Sequence, residues 1–262
     1  MRNCFSFLSA SLLLLFSVNV RSQFGPLSGA AGGLSAPPSG PRFGGAMSKL
    51  FGEHTAFTAK MQMEIKEAGS TDVMSMPGKF SFLEGKTRFD IDLAESKGTK
   101  MPAQVAAQMK ALGMGEVVMI SRPDKKLAFV VYPGMQAYME SPLAEDEAAS
   151  PGAKYKVETT ELGKDSVNGQ ACVKNKVLIT DEKGNKHEAT VWNAAELRNF
   201  PVKMEYTEDG HNGTITYREI KFEKPSASSF DPPATFTRYT GVAEMLRGIM
   251  LKQFGFGGSG KE

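Results

Sequence analysis

The sequence predicts a mainly β fold, an incomplete antiparallel β-barrel of about 9 to 11 strands wrapped around one or two α-helices. Several segments alternate apolar and polar residues with the period of two that is typical of a strand with one solvent-exposed face. Two other segments carry apolar residues at helical spacing, and each such helix needs a surface to cover. A short antiparallel sheet that curls around the helices satisfies both patterns.

Four segments define the strands most clearly. Residues 57–65, 89–93 and 202–206 place apolar side chains at every second position, with charged or polar side chains between them. Residues 127–132 are instead continuously apolar, which predicts a central strand that is covered on both faces.

Turn-forming residues separate the predicted strands. They cluster at 122–125, where Pro precedes Asp, and at 181–185 and 209–213, which are rich in Asp, Asn and Gly. The apolar phase slips after Tyr217, which predicts a β-bulge near Arg218.

Two segments are predicted to be helical. The first opens at Pro102, places Val105, Met109 and Leu112 on one face, and ends at Gly113. The second ends at Gly255 and has a continuous apolar stripe. The stripe consists of Val242, Met245, Leu246, Ile249, Met250 and Phe254.

The chain divides into five regions. Residues 1–22 combine a positive start, an apolar core and a small-residue cleavage site, which predicts a secretory signal peptide and general export, most simply to the bacterial periplasm. Residues 23–46 are mostly Gly, Pro, Ala and Ser, a composition typical of a flexible tether. The half-barrel domain is expected at 47–240, the C-terminal amphipathic helix at 241–254 and a flexible tail at 255–262.

The charge balance excludes two classes of function. The chain has 31 Lys and Arg against 29 Asp and Glu, and two of its basic residues lie in the signal peptide. A nucleic-acid-binding protein needs a basic surface to neutralise phosphates, and a polybasic membrane-surface protein needs one for anionic lipids. No stretch of 18 apolar residues follows the leader, so the mature chain is expected to have no transmembrane span.

No pattern of reactive residues points to an enzyme. The chain contains no nucleophile elbow, phosphate-binding loop or dinucleotide fingerprint, and its histidines have no ligand spacing. We therefore expect no catalytic residues, no metal and no cofactor. The three histidines are His54, His187 and His211.

Two features keep a hydrolase open as a minor alternative. Cys172 is the one cysteine after the leader, and we expect it to be a small apolar filler rather than a nucleophile. Asp90 and Asp92 share one face of a strand, at a spacing that acid–base chemistry could use. Arg88 lies on the same face, so a solvated row of mixed charge is the simpler interpretation.

Methionine is unusually frequent, with 15 residues in the chain. Flexible thioether side chains suit apolar surfaces that must accept varied partners. They can also replace leucine in an ordinary core. Both interpretations, a lined hydrophobic cavity and a filled core, stay open at this stage.

A series of short motifs resembles the LolA/LolB-like superfamily of bacterial envelope proteins, in a branch described as a domain of unknown function. The motifs follow a signal peptide and span roughly residues 50–240. They are residues 57–61 (FTAKM), 85–90 (GKTRFD), 122–126 (RPDKK), 138–140 (YME), 167–172 (VNGQAC), 191–194 (VWNA), 200–204 (FPVKM) and 230–233 (FDPP).

The resemblance implies an incomplete barrel whose apolar face shelters lipoprotein acyl chains. It also implies an arginine that fastens a helical lid to the barrel, and Arg88 is the nearest candidate in this chain. Because Cys4 precedes the apolar stretch of the leader, the chain resembles the soluble carrier rather than the membrane-bound acceptor.

The sequence therefore predicts a non-enzymatic periplasmic protein that binds a lipid or an acylated protein, as a carrier or sensor. The alternative is an envelope scaffold that binds a protein partner and no small molecule. The candidate wall positions for a hydrophobic ligand are Met61, Met63, Phe89, Ile91, Met109, Met119, Phe129, Met204 and Tyr206.

Overall fold

The computed structural model describes residues 45–67, 69–98, 107, 110–143, 154–208 and 211–253. Twelve strands are present in these residues. They are β1 (Ala56–Glu67), β2 (Val73–Leu83), β3 (Lys86–Asp92), β4 (Glu116–Arg122), β5 (Leu127–Tyr132), β6 (Ala137–Pro142), β7 (Lys156–Val167), β8 (Gln170–Thr180), β9 (Lys186–Ala194), β10 (Phe200–Glu208), β11 (His211–Lys221) and β12 (Thr237–Tyr239).

The strands form one open sheet in the order β12-β6-β5-β4-β3-β2-β1-β11-β10-β9-β8-β7. The mainly β fold and the unclosed barrel are confirmed. The described strand pairs are antiparallel, as predicted, with the exception that β12 pairs with β6 in parallel. The difference arises because the chain leaves β11 in the middle of the sheet and crosses to its edge before β12 begins.

The two α-helices with bounds inside the described residues lie near the two ends of the described chain. Helix α1 (Gly45–Ser48) continues into a 3₁₀ turn, Lys49–Phe51, and helix α2 is Val242–Gln253. Helix α1 begins inside the segment 23–46 that composition predicted to be a tether, and its Ala46 is buried. The predicted helix over 102–113 lies largely outside the described residues.

Besides a register shift between Pro201 and Lys203 of β10, two irregularities interrupt the antiparallel ladders. The register between β1 and β11 shifts between Thr58 and Lys60, opposite Glu219, which has a φ of 50°. This confirms the bulge that was predicted near Arg218. A second shift separates Glu161 from Gly163 in β7, a 12-residue strand at the edge of the sheet that is exposed along most of its length.

The sheet buries apolar side chains on both faces. The larger group, here called the main cluster, includes Met63, Phe80 and Met204, and the residues of α1 and α2 that are buried pack into it. The smaller group, the strap cluster, lies beneath the segment 222–236 that connects β11 to β12. It consists of Leu83, Val118, Ile120, Phe129, Val131 and Phe230.

Strands β4 and β5 contribute to both clusters by simple alternation. Val117 and Val130 belong to the main cluster, whereas Val118 and Val131 belong to the strap cluster. The prediction that 127–132 is covered on both faces is confirmed. Its predicted central position is wrong, because β5 lies third from one edge of the sheet.

The segment 222–236, here called the strap, is fastened to the sheet by a buried arginine. Arg122 is 7% exposed, and its Nε and Nη2 donate to Asp124 Oδ1 and Oδ2 at 2.9 and 2.8 Å. Its Nη1 lies 2.6 Å from Asp231 Oδ1 in the strap, and Lys125 Nζ donates to the same oxygen at 2.7 Å. These contacts hold Phe230, which is fully buried, against the sheet.

Phe230 is expected to carry much of the stability of the strap. Replacement of this fully buried ring by alanine leaves a cavity, so Phe230→Ala should lower the free energy of unfolding by about 3–5 kcal/mol. Urea denaturation of the purified protein measures this value. Phe236→Ala, at a half-buried position of the same strap, is the matched control and should cost clearly less. Equal losses in the free energy of unfolding at the two positions would show that Phe230 does not stabilise the strap more than Phe236 does.

The carboxylates that face Arg122 should make stability depend on pH. The hydrogen bond from Arg122 lowers the pKa of Asp124. Burial opposes ionisation of Asp231, but hydrogen bonds from Lys125 and Arg122 outweigh it and lower that pKa as well. Groups whose pKa is lowered by folding stabilise the folded state above their unfolded pKa of about 4, and this stabilisation is lost as the pH falls further.

The double variant Asp124→Asn/Asp231→Asn tests this dependence. It should be less stable than the wild type in urea at pH 7, and the difference should shrink as the pH falls below about 4. Glu158→Gln, which removes an exposed ion pair to Lys156, is the control and should show little difference at either pH. A difference that stays constant across this range would show that the ion pairs do not titrate with folding.

Candidate functional site

Five of the nine predicted wall positions lie together in the main cluster, at 5% exposure or less. They are Met61, Met63, Phe89, Ile91 and Met204. Met119 and Tyr206 are half-buried and pack against the same cluster.

The two remaining positions differ. Phe129 lies in the strap cluster, opposite Ile120 of β4, and so on the other face of the sheet from the main cluster. Every residue of β5 is apolar, so the sequence pattern carries no information about which of its side chains face which side. Met109 lies outside the described residues.

Strand pairing joins the wall positions into continuous apolar rows that cross the sheet. One row crosses five strands through directly paired residues and has Ile215 at its middle. Its members are Val191, Met204, Ile215, Met63 and Met76. A second row crosses six strands through Ala59, Phe80, Phe89, Met119, Val130 and Met139. Together they form an apolar face with several flexible thioether side chains.

The two ends of the described chain lie over this apolar face. Phe51, from the 3₁₀ turn after α1, packs edge-on against Phe57 at 4.9 Å between ring centroids and lies 6.0 Å from Tyr217. Helix α2 inserts Met245, which is fully buried in the main cluster. Both covering elements are short, and each reaches the face from one end of the described chain.

The ring of Tyr206 lies over Gly213 of the neighbouring strand β11, where the glycine has no side chain. It pairs with Gly213 of β11, and a methyl group on Gly213 would collide with the Tyr206 ring at Cζ, Cε1 and Oη. The glycine therefore allows the phenol to lie across β11 toward the apolar face.

Tyr217 is a polar residue of this face that the sequence analysis did not select. It pairs directly with Met61 and is 1% exposed. Its Oη has no hydrogen-bond partner among the described residues. Burial, and to a lesser extent Tyr206, raises the pKa of the phenol well above its usual value, so the hydroxyl keeps its proton. The alternation of Ile215 with Tyr217 is the signal that places it on the apolar face.

Arg88 lies on the strap side of the sheet. Its Nε donates to Asp90 Oδ2 at 2.9 Å, and its Nη1 donates to the carbonyl oxygen of Ser229 in the strap at 2.8 Å. The arginine therefore fastens the strap, and no contact between Arg88 and helix α2 is seen in the described residues. Because Asp90 is paired with Arg88, it forms a structural ion pair on this strand.

The other reactive residues are placed as structural groups. Cys172 is buried, its Sγ approaches the carbonyl oxygen of Gln170 at 3.3 Å, and burial raises the pKa of the thiol. His54 Nε2 lies 3.0 Å from the carbonyl oxygen of Arg198. Within the described ranges, no three His, Cys, Asp or Glu side chains meet in a group that could hold a metal ion. The helices described there are all too short or too polar to cross a membrane.

The contact between Tyr206 and Gly213 should be visible in a double-mutant cycle. Gly213→Ala overpacks the site and is expected to lower the free energy of unfolding by about 1–3 kcal/mol. Tyr206→Ala removes the colliding ring, so the double variant should lose less than the sum of the single losses. Gly213→Ala combined with Tyr138→Ala, in the strap cluster, should be additive in urea denaturation. If the losses in the free energy of unfolding are additive for both pairs, Tyr206 and Gly213 do not interact.

The chain is similar to several solved structures at low sequence identity. The chain is similar to a LolA superfamily protein from Nitrosomonas europaea, with 10% identity over 71% of this chain and 97% of that one and a TM-score of 0.34. It is similar to the lipoprotein LppX from Mycobacterium tuberculosis, with 10% identity over 67% and 91% and a TM-score of 0.36. It is also similar to a chain of the MucA/MucB complex of Pseudomonas aeruginosa, with 10% identity over 72% and 60% and a TM-score of 0.32.

The sequence comparisons give a family without an assigned activity. No curated protein matches the chain. Residues 57–200 match the family described as a domain of unknown function, DUF4412. The first and last matched residues, Phe57 and Phe200, contact each other in the main cluster at 4.8 Å between ring centroids. The predicted membership of a family of unknown function is confirmed: because the match covers more than half of the 262 residues, the protein belongs to the DUF4412 family.

Proposed function

We propose that this protein is a non-enzymatic component of the bacterial periplasm that binds a hydrophobic ligand or a lipidated partner on the apolar face of its sheet. In this role it acts as a carrier or sensor of a lipid or a lipoprotein. The observation that carries the proposal is the pair of apolar rows across the sheet, rich in methionine, that are covered only by short elements among the described residues.

Helix α2 is the covering element that a ligand would displace. Of its side chains that the structure describes, Met245 alone is buried, and Leu251 is 46% exposed. Its first turn is held by Glu244, which accepts a hydrogen bond from the backbone N–H of Thr240 at 2.8 Å. Segments with few buried contacts open at a lower free energy than the rest of a fold. The helix can therefore exchange with a ligand while the sheet stays intact.

The apolar face offers enough binding energy for reversible loading. Removal of apolar surface from water is worth about 25 cal/mol per Å², or about 0.8 kcal/mol for each buried methylene. Burial of most of one acyl chain would thus contribute several kcal/mol after the cost of displacing Met245. Such binding requires no reactive side chain, in agreement with the buried, protonated state that burial favours for Cys172.

Native mass spectrometry of the mature protein, purified from envelope extract without detergent, tests the proposal. We expect a stoichiometric added mass that solvent extraction identifies as a lipid or an acylated peptide. Met245→Ala should weaken the cover and speed the release of a bound acyl probe, whereas Leu251→Ala, at an exposed position of the same helix, should not. A ligand-free mass, together with no uptake of an acyl probe by the purified protein, would overturn the proposal.

A protein scaffold is the second candidate, and the edge strand β7 favours it. The strand has 12 residues, it ends the sheet, and its backbone edge has no neighbouring strand among the described residues. Exposed edges of this kind can accept an extended peptide as an additional strand. If the protein is a scaffold, native mass spectrometry should show a ligand-free mass. Val157→Pro in β7 should then release the protein partner.

A further inference from the structure

Tyr217 carries a buried polar atom that the fold does not use. The side chain is 1% exposed, and its Oη has no hydrogen-bond partner among the described residues. Buried polar atoms are almost always paired, because an unpaired donor loses its bonds to water and gains none in return. The unpaired hydroxyl therefore calls for an acceptor that the protein itself does not provide.

Tyr217 lies in the main cluster, and its pairing with Met61 places it between the two apolar rows. The ring packs among aromatic side chains that lie toward the C-terminal end of β11 and the turn after α1. Tyr206, which also raises the pKa of the phenol, pairs with Gly213 nearer the start of β11. Met61 is the direct cross-strand neighbour. The aromatic partners are Phe51, Phe57, Phe80 and Phe200.

The acceptor is expected to be a neutral group, because the buried residues described offer no cation to balance a negative charge beside Tyr217. The polar or charged side chains that are buried in the described residues are His54, Thr87 and Arg122. Arg122 is engaged by Asp124 and Asp231 on the strap side, and His54 contacts the carbonyl oxygen of Arg198. A carboxylate placed beside Tyr217 would therefore be buried without a cation, which is strongly unfavourable.

We propose that the ligand of the apolar face carries an ester or amide carbonyl, and that this carbonyl accepts a hydrogen bond from Tyr217 Oη. This inference rests on the proposed function and specifies the ligand as an acyl derivative rather than a hydrocarbon, an alkyl ether or a free fatty acid anion. Tyr217 then fixes the depth at which the acyl linkage sits, while the chain beyond it lies along the methionine-containing rows.

Two lysophosphatidylcholines that differ only in this carbonyl test the proposal. The probes are the 1-palmitoyl ester and the 1-O-hexadecyl ether, each titrated below its critical micelle concentration while binding is followed by native mass spectrometry. The wild type should prefer the ester by about 3- to 10-fold, the usual worth of one hydrogen bond. Tyr217→Phe should bind both probes equally. Tyr132→Phe, which changes another buried tyrosine, should keep the preference.

The stability of the ligand-free protein supplies a second measurement. Because the Tyr217 hydroxyl has no partner to lose, Tyr217→Phe should be at least as stable as the wild type in urea. A less stable variant would show that the hydroxyl is already bonded in the free protein and would overturn the inference. Equal binding of the two probes by the wild type would overturn it and leave the proposed function standing. Failure to bind either probe would overturn the inference, and together with a ligand-free mass of the protein from envelope extract it would overturn the proposed function as well.

Discussion

The buried guanidinium of Arg122 is the interaction on which the arrangement of the rest of the molecule depends. It faces Asp124 on its own hairpin and Asp231 in the strap, and so joins two parts of the chain that are about a hundred residues apart. The strap ends at β12, and α2 follows within three residues. The position of the helix over the main cluster therefore depends on an ion pair on the opposite side of the sheet.

The local patterns of the sequence contain most of the fold. Alternation at 57–65 is enough to place β1 and its buried face, because a one-residue slip would expose every apolar side chain of that strand. The strap is different, since nothing local relates Arg122 to Asp231. Only the order of the motifs at 122–126 and 230–233 indicated that both segments matter, and the structure shows that they contact each other.

The residues of the candidate site could be predicted where a strand alternates apolar and polar side chains, because the apolar positions then mark its buried face. Elsewhere they could not be predicted. Met63 and Met204 come from alternating strands and lie in one row, as expected from their phase. Phe129 comes from a strand without alternation, so its face could not be inferred. Tyr217 was overlooked because a phenol on an apolar face resembles a core aromatic, and the missing partner of its hydroxyl is visible only in three dimensions.

The bulge in β7 has a consequence for the behaviour of the protein at high concentration. A straight, uncharged edge of this length would template the stacking of one molecule on another into extended aggregates. The irregularity between Glu161 and Gly163, where φ is 128°, breaks the hydrogen-bonding repeat in the middle of the strand. Lys156 and Glu158 add charge near one end. The same edge is thus long enough to receive one short peptide, yet it is poorly suited to fibril growth.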